Sequence, residues 1–255
     1  MLVAYLVVMT GCYTRVEGCL DIAASNFDFN ADKPCSDCCT YPTITVSLSQ
    51  KWNDRNFSTS DTLLDLNGKP YHIKDLDYYL SSWSWSGSDG KQYTVDSAEI
   101  SCENGILQYT PDILQVDSKL FTYKLGTIRQ SPAIDSVQFK LGLHSSLECV
   151  DETSSDIPPS LSDESPLWDP HSSSRAALRI VLQRDTTIEF FDTLFIHGSF
   201  DQQVAYDIDF ITGIPVTLNL SVNYAAWFSN VDITLLGSFE ESIRLGVPGS
   251  FYKTP

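Results

Sequence analysis

From Thr43 the chain alternates apolar and polar residues. Thr43-Ile-Thr-Val-Ser-Leu-Ser49 puts Ile44, Val46 and Leu48 on one side of an extended segment, the period of a half-buried strand. Runs of similar composition follow at Thr62–Leu66, Tyr71–Ile73, Leu76–Trp85, Gln92–Ile100, Ile106–Tyr109, Leu120–Leu125 and Ile134–Leu143. Others lie at Ala176–Gln183, Thr187–Phe191, Leu194–Gly198, Val204–Ile211 and Pro215–Val222. Val, Ile, Thr and aromatic residues, which fit a pleated surface, dominate them. Asn67-Gly68, Asp89-Gly90, Asn104-Gly105 and Thr212-Gly213 punctuate the runs as turns. Only Tyr224–Phe228 and Phe239–Leu245 read as short helices. Many short strands joined by turns predict an all-β fold, an antiparallel β-sandwich of ten or more strands over residues 43–255.

Residues 13–42 break this pattern. They are rich in Cys, Asp and Asn and have no helical period. Before them, residues 1–11 are apolar and uncharged, and Met9-Thr10-Gly11-Cys12 resembles a lipoprotein box. Residues 1–12 are therefore expected to be a signal whose Cys12 carries the lipid, placing the protein in the periplasm or at the cell surface. The chain has seven cysteines. Setting Cys12 aside leaves Cys19, Cys35, Cys38, Cys39, Cys102 and Cys149, an even set suited to three disulfides in an oxidising compartment. Four of these lie close together in sequence, which predicts a local cluster and leaves Cys102 for Cys149. The competing reading, a zinc site started by Cys35-Ser-Asp-Cys38-Cys39, lacks a second Cys/His pair at a matching distance.

Asp and Glu number 33 against 16 Lys and Arg, a net charge of −17. Nucleic acid and anionic lipid are poor partners for such a surface, whereas cations are good ones. Between Lys140 and Arg175 there is no basic residue, and Glu148, Asp151, Glu152, Asp156, Asp163, Glu164 and Asp169 share the segment with Ser and Pro. It reads as a long surface loop, solvated or serving as a lid or docking element.

No nucleophile elbow, Ser-x-x-Lys pair, phosphate-binding glycine loop or His-Glu-x-x-His motif occurs, so the residues give no support to an enzyme. Metal binding has two candidate sites. Asn26-Phe-Asp28-Phe-Asn30-Ala-Asp32 sets oxygen side chains at every second residue, as the first half of a calcium loop does. With Asp21 it would be a disulfide-bounded Ca²⁺ loop, the alternative being Asx turns. The second rests on the histidines: of His72, His144, His171 and His197, the candidates are His171, beside Trp168, and His197, at a strand end. Once the signal is removed no methionine remains, and paired cysteines offer no thiolate, so a soft-metal site must use imidazole or a modified aromatic.

Several segments resemble the MbnP-like family, named for methanobactin-associated periplasmic copper-binding proteins. Asn67-Gly68-Lys-Pro-Tyr71-His-Ile73-Lys-Asp-Leu76-Asp-Tyr78-Tyr79-Leu80-Ser81 carries the most specific resemblance. Val137-Gln-Phe139-Lys-Leu141-Gly142-Leu143, Ser165-Pro-Leu167-Trp168-Asp169-Pro170 and Phe195-Ile-His197-Gly198 add to it, so that it spans roughly residues 42–245. The preceding Cys-rich module resembles one found on Bacteroidota lipoproteins. The resemblance implies a β-sandwich of the cell envelope that binds copper through histidines and a tryptophan oxidised by a di-haem, MauG-like partner. His197 and His171 would then be ligands, Trp168 the modified residue and His72 a further candidate. The family's Met-x-Trp-x-Trp stretch is replaced here by His171-Ser-Ser-Ser-Arg175-Ala-Ala. A lipid-anchored adhesion or scaffold module, stabilised by Ca²⁺ at Asp28, Asn30 and Asp32, is the alternative from a different functional class.

Overall fold

The computed structural model describes residues 14–102, 105–109, 112–130, 133–150 and 157–254. The expected signal with Cys12, and Asp151, Glu152 and Asp156 of the acidic segment, lie outside them.

The alternation at Thr43 does form a strand, β1 (Thr43–Trp52), with Ile44, Val46 and Leu48 buried. The expected strands Tyr71–Ile73 and Leu76–Trp85 fuse into one of 18 residues, β2 (Pro70–Gly87). Their separation in sequence reflects a change of parity. Tyr71 and Ile73 enter the core on odd positions, Leu76, Tyr78 and Leu80 on even ones, then Trp83 and Trp85 on odd ones again. A strand can keep all of them on one face only by inserting single extra residues. Pairing shifts register at both places, and Ser82 adopts φ 57° at the second.

Further strands are β3 (Leu114–Val116), β4 (Thr122–Thr127), β5 (Ala133–Leu141), β6 (Leu178–Gln183) and β7 (Asp192–Ile196). After them come β8 (Phe200–Asp209), β9 (Val216–Asn223), helices α1 (Tyr224–Trp227) and α2 (Leu236–Gly246), and β10 (Phe251–Lys253). One sheet runs β7-β6-β2-β5-β8, with β3 also on β2, and the other β4-β1-β9-β10. Their inner faces share one core, in which Trp83 stacks on Phe139 at 4.4 Å and Phe139 meets Phe251 edge-on at 5.1 Å. The fold is the expected β-sandwich. One central pair departs from antiparallel order, since β9 lies parallel to β1. The connection between them runs through the entire other sheet, which is long enough for a parallel crossover.

Thr187–Phe191 is not a strand. The Asp185 carboxylate accepts from the Thr187 amide at 2.9 Å and from its hydroxyl at 2.6 Å, and this Asx turn makes the segment the connection between β6 and β7. Gln92–Ile100 is likewise divided, into Gln92–Tyr93 and Ala98–Cys102.

The acidic segment folds back onto the sheet. Leu147, Val150, Ile157 and Leu161 make a second small core with Ile100. Arg175 closes it, donating to the carbonyls of Leu161 at 2.8 Å and Val150 at 3.1 Å. This cover explains why β2 is buried on both faces from Leu76 to Ser81. Disulfides join Cys19–Cys39, Cys35–Cys38 and Cys102–Cys149, which gives the expected local cluster and the expected Cys102–Cys149 bridge. The last closes 47 residues and staples the second core. The loop entropy it removes from the unfolded chain corresponds to about 4 kcal/mol. Cys102→Ser/Cys149→Ser is therefore expected to lower the unfolding free energy by about that amount, measured by urea titration.

Candidate metal centre

The site lies where β5, β7 and the acidic segment meet. Gly142, just past β5, has φ 111°, and a Cβ there would stand 2.5 Å from the Gly198 carbonyl oxygen, just past β7. Only glycine allows this approach, and it brings the loop bearing His144 against the loop bearing His197. The third wall is a hairpin pairing Trp168–Asp169 with Ser174–Arg175. Together they enclose a cleft of about 390 Å³ whose lining includes His144, His197, Trp168, Arg175, Lys140 and Glu148.

Asp169 organises the histidines. Its side chain is only 10% exposed. One carboxylate oxygen accepts from the His171 amide at 2.9 Å, the other from the Ser172 hydroxyl at 2.8 Å and from His197 Nε2 at 3.0 Å. Burial disfavours the charged carboxylate, but these hydrogen bonds outweigh it and bring its pKa down to about 2. An ionised carboxylate only accepts, so His197 must carry its proton on Nε2. Nδ1 then holds a free lone pair and makes no hydrogen bond among the described residues. This is the carboxylate–histidine arrangement that fixes the tautomer and raises the basicity of a metal-ligating imidazole. The His197 carbonyl accepts from Arg244 of α2, which holds the residue from behind.

The other histidines differ. His171 Nδ1 is 3.5 Å from Asp169, and its side chain is 91% exposed. His144 lines the cleft, a position that its sequence context gave little reason to expect. Its Nδ1 accepts from the Ser146 amide at 3.1 Å and caps the short turn Ser145–Cys149. That bond leaves the proton of neutral His144 on Nε2, so as placed it donates and does not ligate. His72 is bonded through Nδ1 to the Asp61 carbonyl at 2.9 Å. It pairs with Gln183, six residues along the chain from Ala177 of the cleft lining and so about 20 Å from the cleft. Trp168 is half-buried on the cleft wall, with the Arg175 guanidinium 6.0 Å from its ring.

The N-terminal oxygen side chains do not gather. Asp28 accepts from the Asn30 amide at 2.9 Å, Asp32 from the Val16 amide at 3.0 Å, and Asp21 from the Ala23 amide and the Tyr41 hydroxyl. Asp21 and Asp28 form Asx turns of the alternative reading, while Asp32 reaches across the module to Val16. Among the described residues the only convergent set of three His, Cys, Asp or Glu ligand atoms is Cys35, Cys38 and Cys39, all engaged in disulfides.

The family model of MbnP matches residues 41–242, most of the chain. This chain belongs to the MbnP family. The match begins within two residues of Thr43 and includes all of the first sheet, the second sheet except β10, and all three walls of the cleft, leaving most of the Cys-rich module outside. Among solved structures, MbnP from Methylosinus trichosporium is similar at 13% identity and a TM-score of 0.48, covering 75% of this chain and 79% of that one. No curated protein matches.

Asp169→Asn should retain the hairpin while removing the charge that holds His197. If His197 ligates a metal ion, affinity for that ion is expected to fall roughly 10–100-fold, as when an outer partner of a ligand is lost. The metal-free protein offers an independent readout. A carboxylate with a lowered pKa adds stability that is complete above its ordinary value of 3.8 and lost as pH falls through about 2. The stability gap between the parent chain and Asp169→Asn should therefore be constant at neutral pH and close in strong acid, followed by urea unfolding at stepped pH.

Proposed function

We propose that this protein is a lipid-anchored, copper-binding protein of the cell envelope, without catalytic activity of its own. The observation that carries the reading is His197, locked through Nε2 to ionised Asp169 with Nδ1 free beside Trp168 and a cleft. The donor set suits Cu(I), which tolerates few ligands and accepts imidazole. Family membership points the same way. His197 would be the principal ligand, and His171, exposed and leaning on the same carboxylate, the second. Trp168 would be the indole offered to an oxidising di-haem partner of the MauG-like kind. Three disulfides suit the periplasm or cell surface, where a lipid on Cys12 would hold the chain. Calcium has weaker support, because the N-terminal carboxylates are committed to backbone amides.

The test is Cu(I) titration, against a chromophoric competitor, of chain purified from an oxidising compartment. Intact-mass measurement on the same sample reads acylation at Cys12 and added oxygen on Trp168. One tightly held Cu(I) supports the proposal, and a chain that yields all copper to the competitor contradicts it.

A further inference from the structure

The Cys-rich module carries apolar side chains that the sandwich does not cover. Phe29 is 80% exposed and Ile22 72%, and Val16, Leu20 and Phe27 are exposed as well. The module is not a loose tail. Two disulfides cross-link it, Tyr41 joins Asp21 at 2.8 Å, and the Arg129 guanidinium lies over the Tyr41 ring at 4.0 Å. It also rests on the turn after β8, where a Cβ on Gly213 would be 3.1 Å from the Ala24 carbonyl. That turn adds exposed Ile211 and Ile214. A rigid platform that leaves several large apolar groups in water is a surface awaiting a partner.

We infer that this module is a foot that rests on the bilayer, with Phe29 and Ile22 entering the interfacial region. The inference depends on the reading of Cys12 as the lipid-bearing residue. Cys12 precedes Val16 by four residues, at most about 14 Å of extended chain. An anchored chain therefore cannot hold the module away from the membrane. The lipid on Cys12 would tether the chain at one point, and the apolar patch adds a second contact that fixes how the module sits on the surface. The net charge of −17 selects an uncharged, zwitterionic lipid surface over an anionic one.

The topology gives this contact a consequence. Strand β8 runs from Phe200, next to the His197 loop, to Asp209, next to the module-bearing turn. Ten residues of strand separate the two ends, about 30 Å. A module seated on the membrane turns the cleft outward, where a soluble metal donor or a large oxidising partner can reach it.

The experiment uses the full chain with Cys12 coupled to a maleimide-bearing phosphatidylethanolamine in phosphatidylcholine vesicles. Coupling places the chain at the bilayer whether or not a cell acylates it. Phe29→Trp and, at the opposite end, the exposed Phe190→Trp are compared with the parent chain for quenching by lipids brominated near the headgroup. Quenching of the Phe29→Trp signal alone is the expected result. Quenching at Phe190→Trp instead, or at neither position, overturns the foot and leaves the patch to a protein partner. Intact mass of the native chain extracted from membranes is read separately. A Cys12 without acyl mass overturns the anchor and the inference that depends on it, whereas acylated Cys12 without Phe29→Trp quenching overturns the foot alone.

Discussion

His197→Ala is expected to abolish Cu(I) binding while the protein stays folded. The imidazole is the one cleft side chain whose tautomer is set by an ionised partner, Asp169, at 3.0 Å, leaving Nδ1 free. Its removal takes away a ligand itself, so the loss should exceed the roughly 10–100-fold typical of an outer-shell change. The side chain is 38% exposed, which keeps the stability cost small. His171→Ala should weaken binding less, since that ring is held only loosely at 3.5 Å from Asp169. His144→Ala should leave affinity unchanged, because the Ser146 amide occupies its Nδ1 and fixes the proton on Nε2. The three variants, titrated against the same Cu(I) competitor, form a graded series. Equal affinities across it would exclude His197 as a ligand.

Trp227→Ala is expected to be the most damaging core substitution. Trp227 has no exposed surface and packs edge-on against Tyr224 at 4.9 Å and Tyr78 at 5.3 Å. Its Nε1 donates to the Ser250 hydroxyl at 2.6 Å. It therefore joins α1 to strand β2 and to the turn before β10. Truncation leaves a large cavity and removes the bond that the Ser250 hydroxyl accepts, for a loss of about 3–5 kcal/mol. Such a loss should lower Tm by roughly 10–15 °C in a chain of this size, measured by calorimetry. A drop of only a degree or two would mean that the site collapses around the missing ring.

How much of this was legible in sequence depends on the range of the interaction. Alternation at Ile44, Val46 and Leu48 depends on local period, and β1 follows it. The break between Ile73 and Leu76 suggested two strands, because a period-two reading cannot see a bulge that restores the face. Thr187–Phe191 had strand composition, yet a single Asp185 side chain decided for a turn. The parallel pairing of β1 with β9 joins residues far apart in the chain and left no local mark. Cysteine spacing was enough for the N-terminal cluster and for Cys102–Cys149, but not for the pairing of Cys19 with Cys39 and Cys35 with Cys38 within the cluster. In the site, Trp168, His171 and His197 were picked out by resemblance, and the structure places all three around Asp169 or the cleft. His72 does not reach them. His144 was passed over because a single histidine after a strand carries no pattern. The available signal was Gly142 just before it, a glycine closing a strand where two backbones must touch. The acidic segment read as solvated because its charges outnumber its apolar residues, but Leu147, Leu161 and Leu167 are buried and pin it down.

The most direct test of the proposed copper centre is X-ray absorption at the copper edge on the chain loaded with one equivalent of Cu(I). The expected spectrum shows a low-coordinate ion with imidazole nitrogen neighbours and no sulfur shell, because the described cysteines are paired. A spectrum dominated by copper–sulfur scattering would place the metal on the Cys35, Cys38 and Cys39 cluster and contradict a centre at His197.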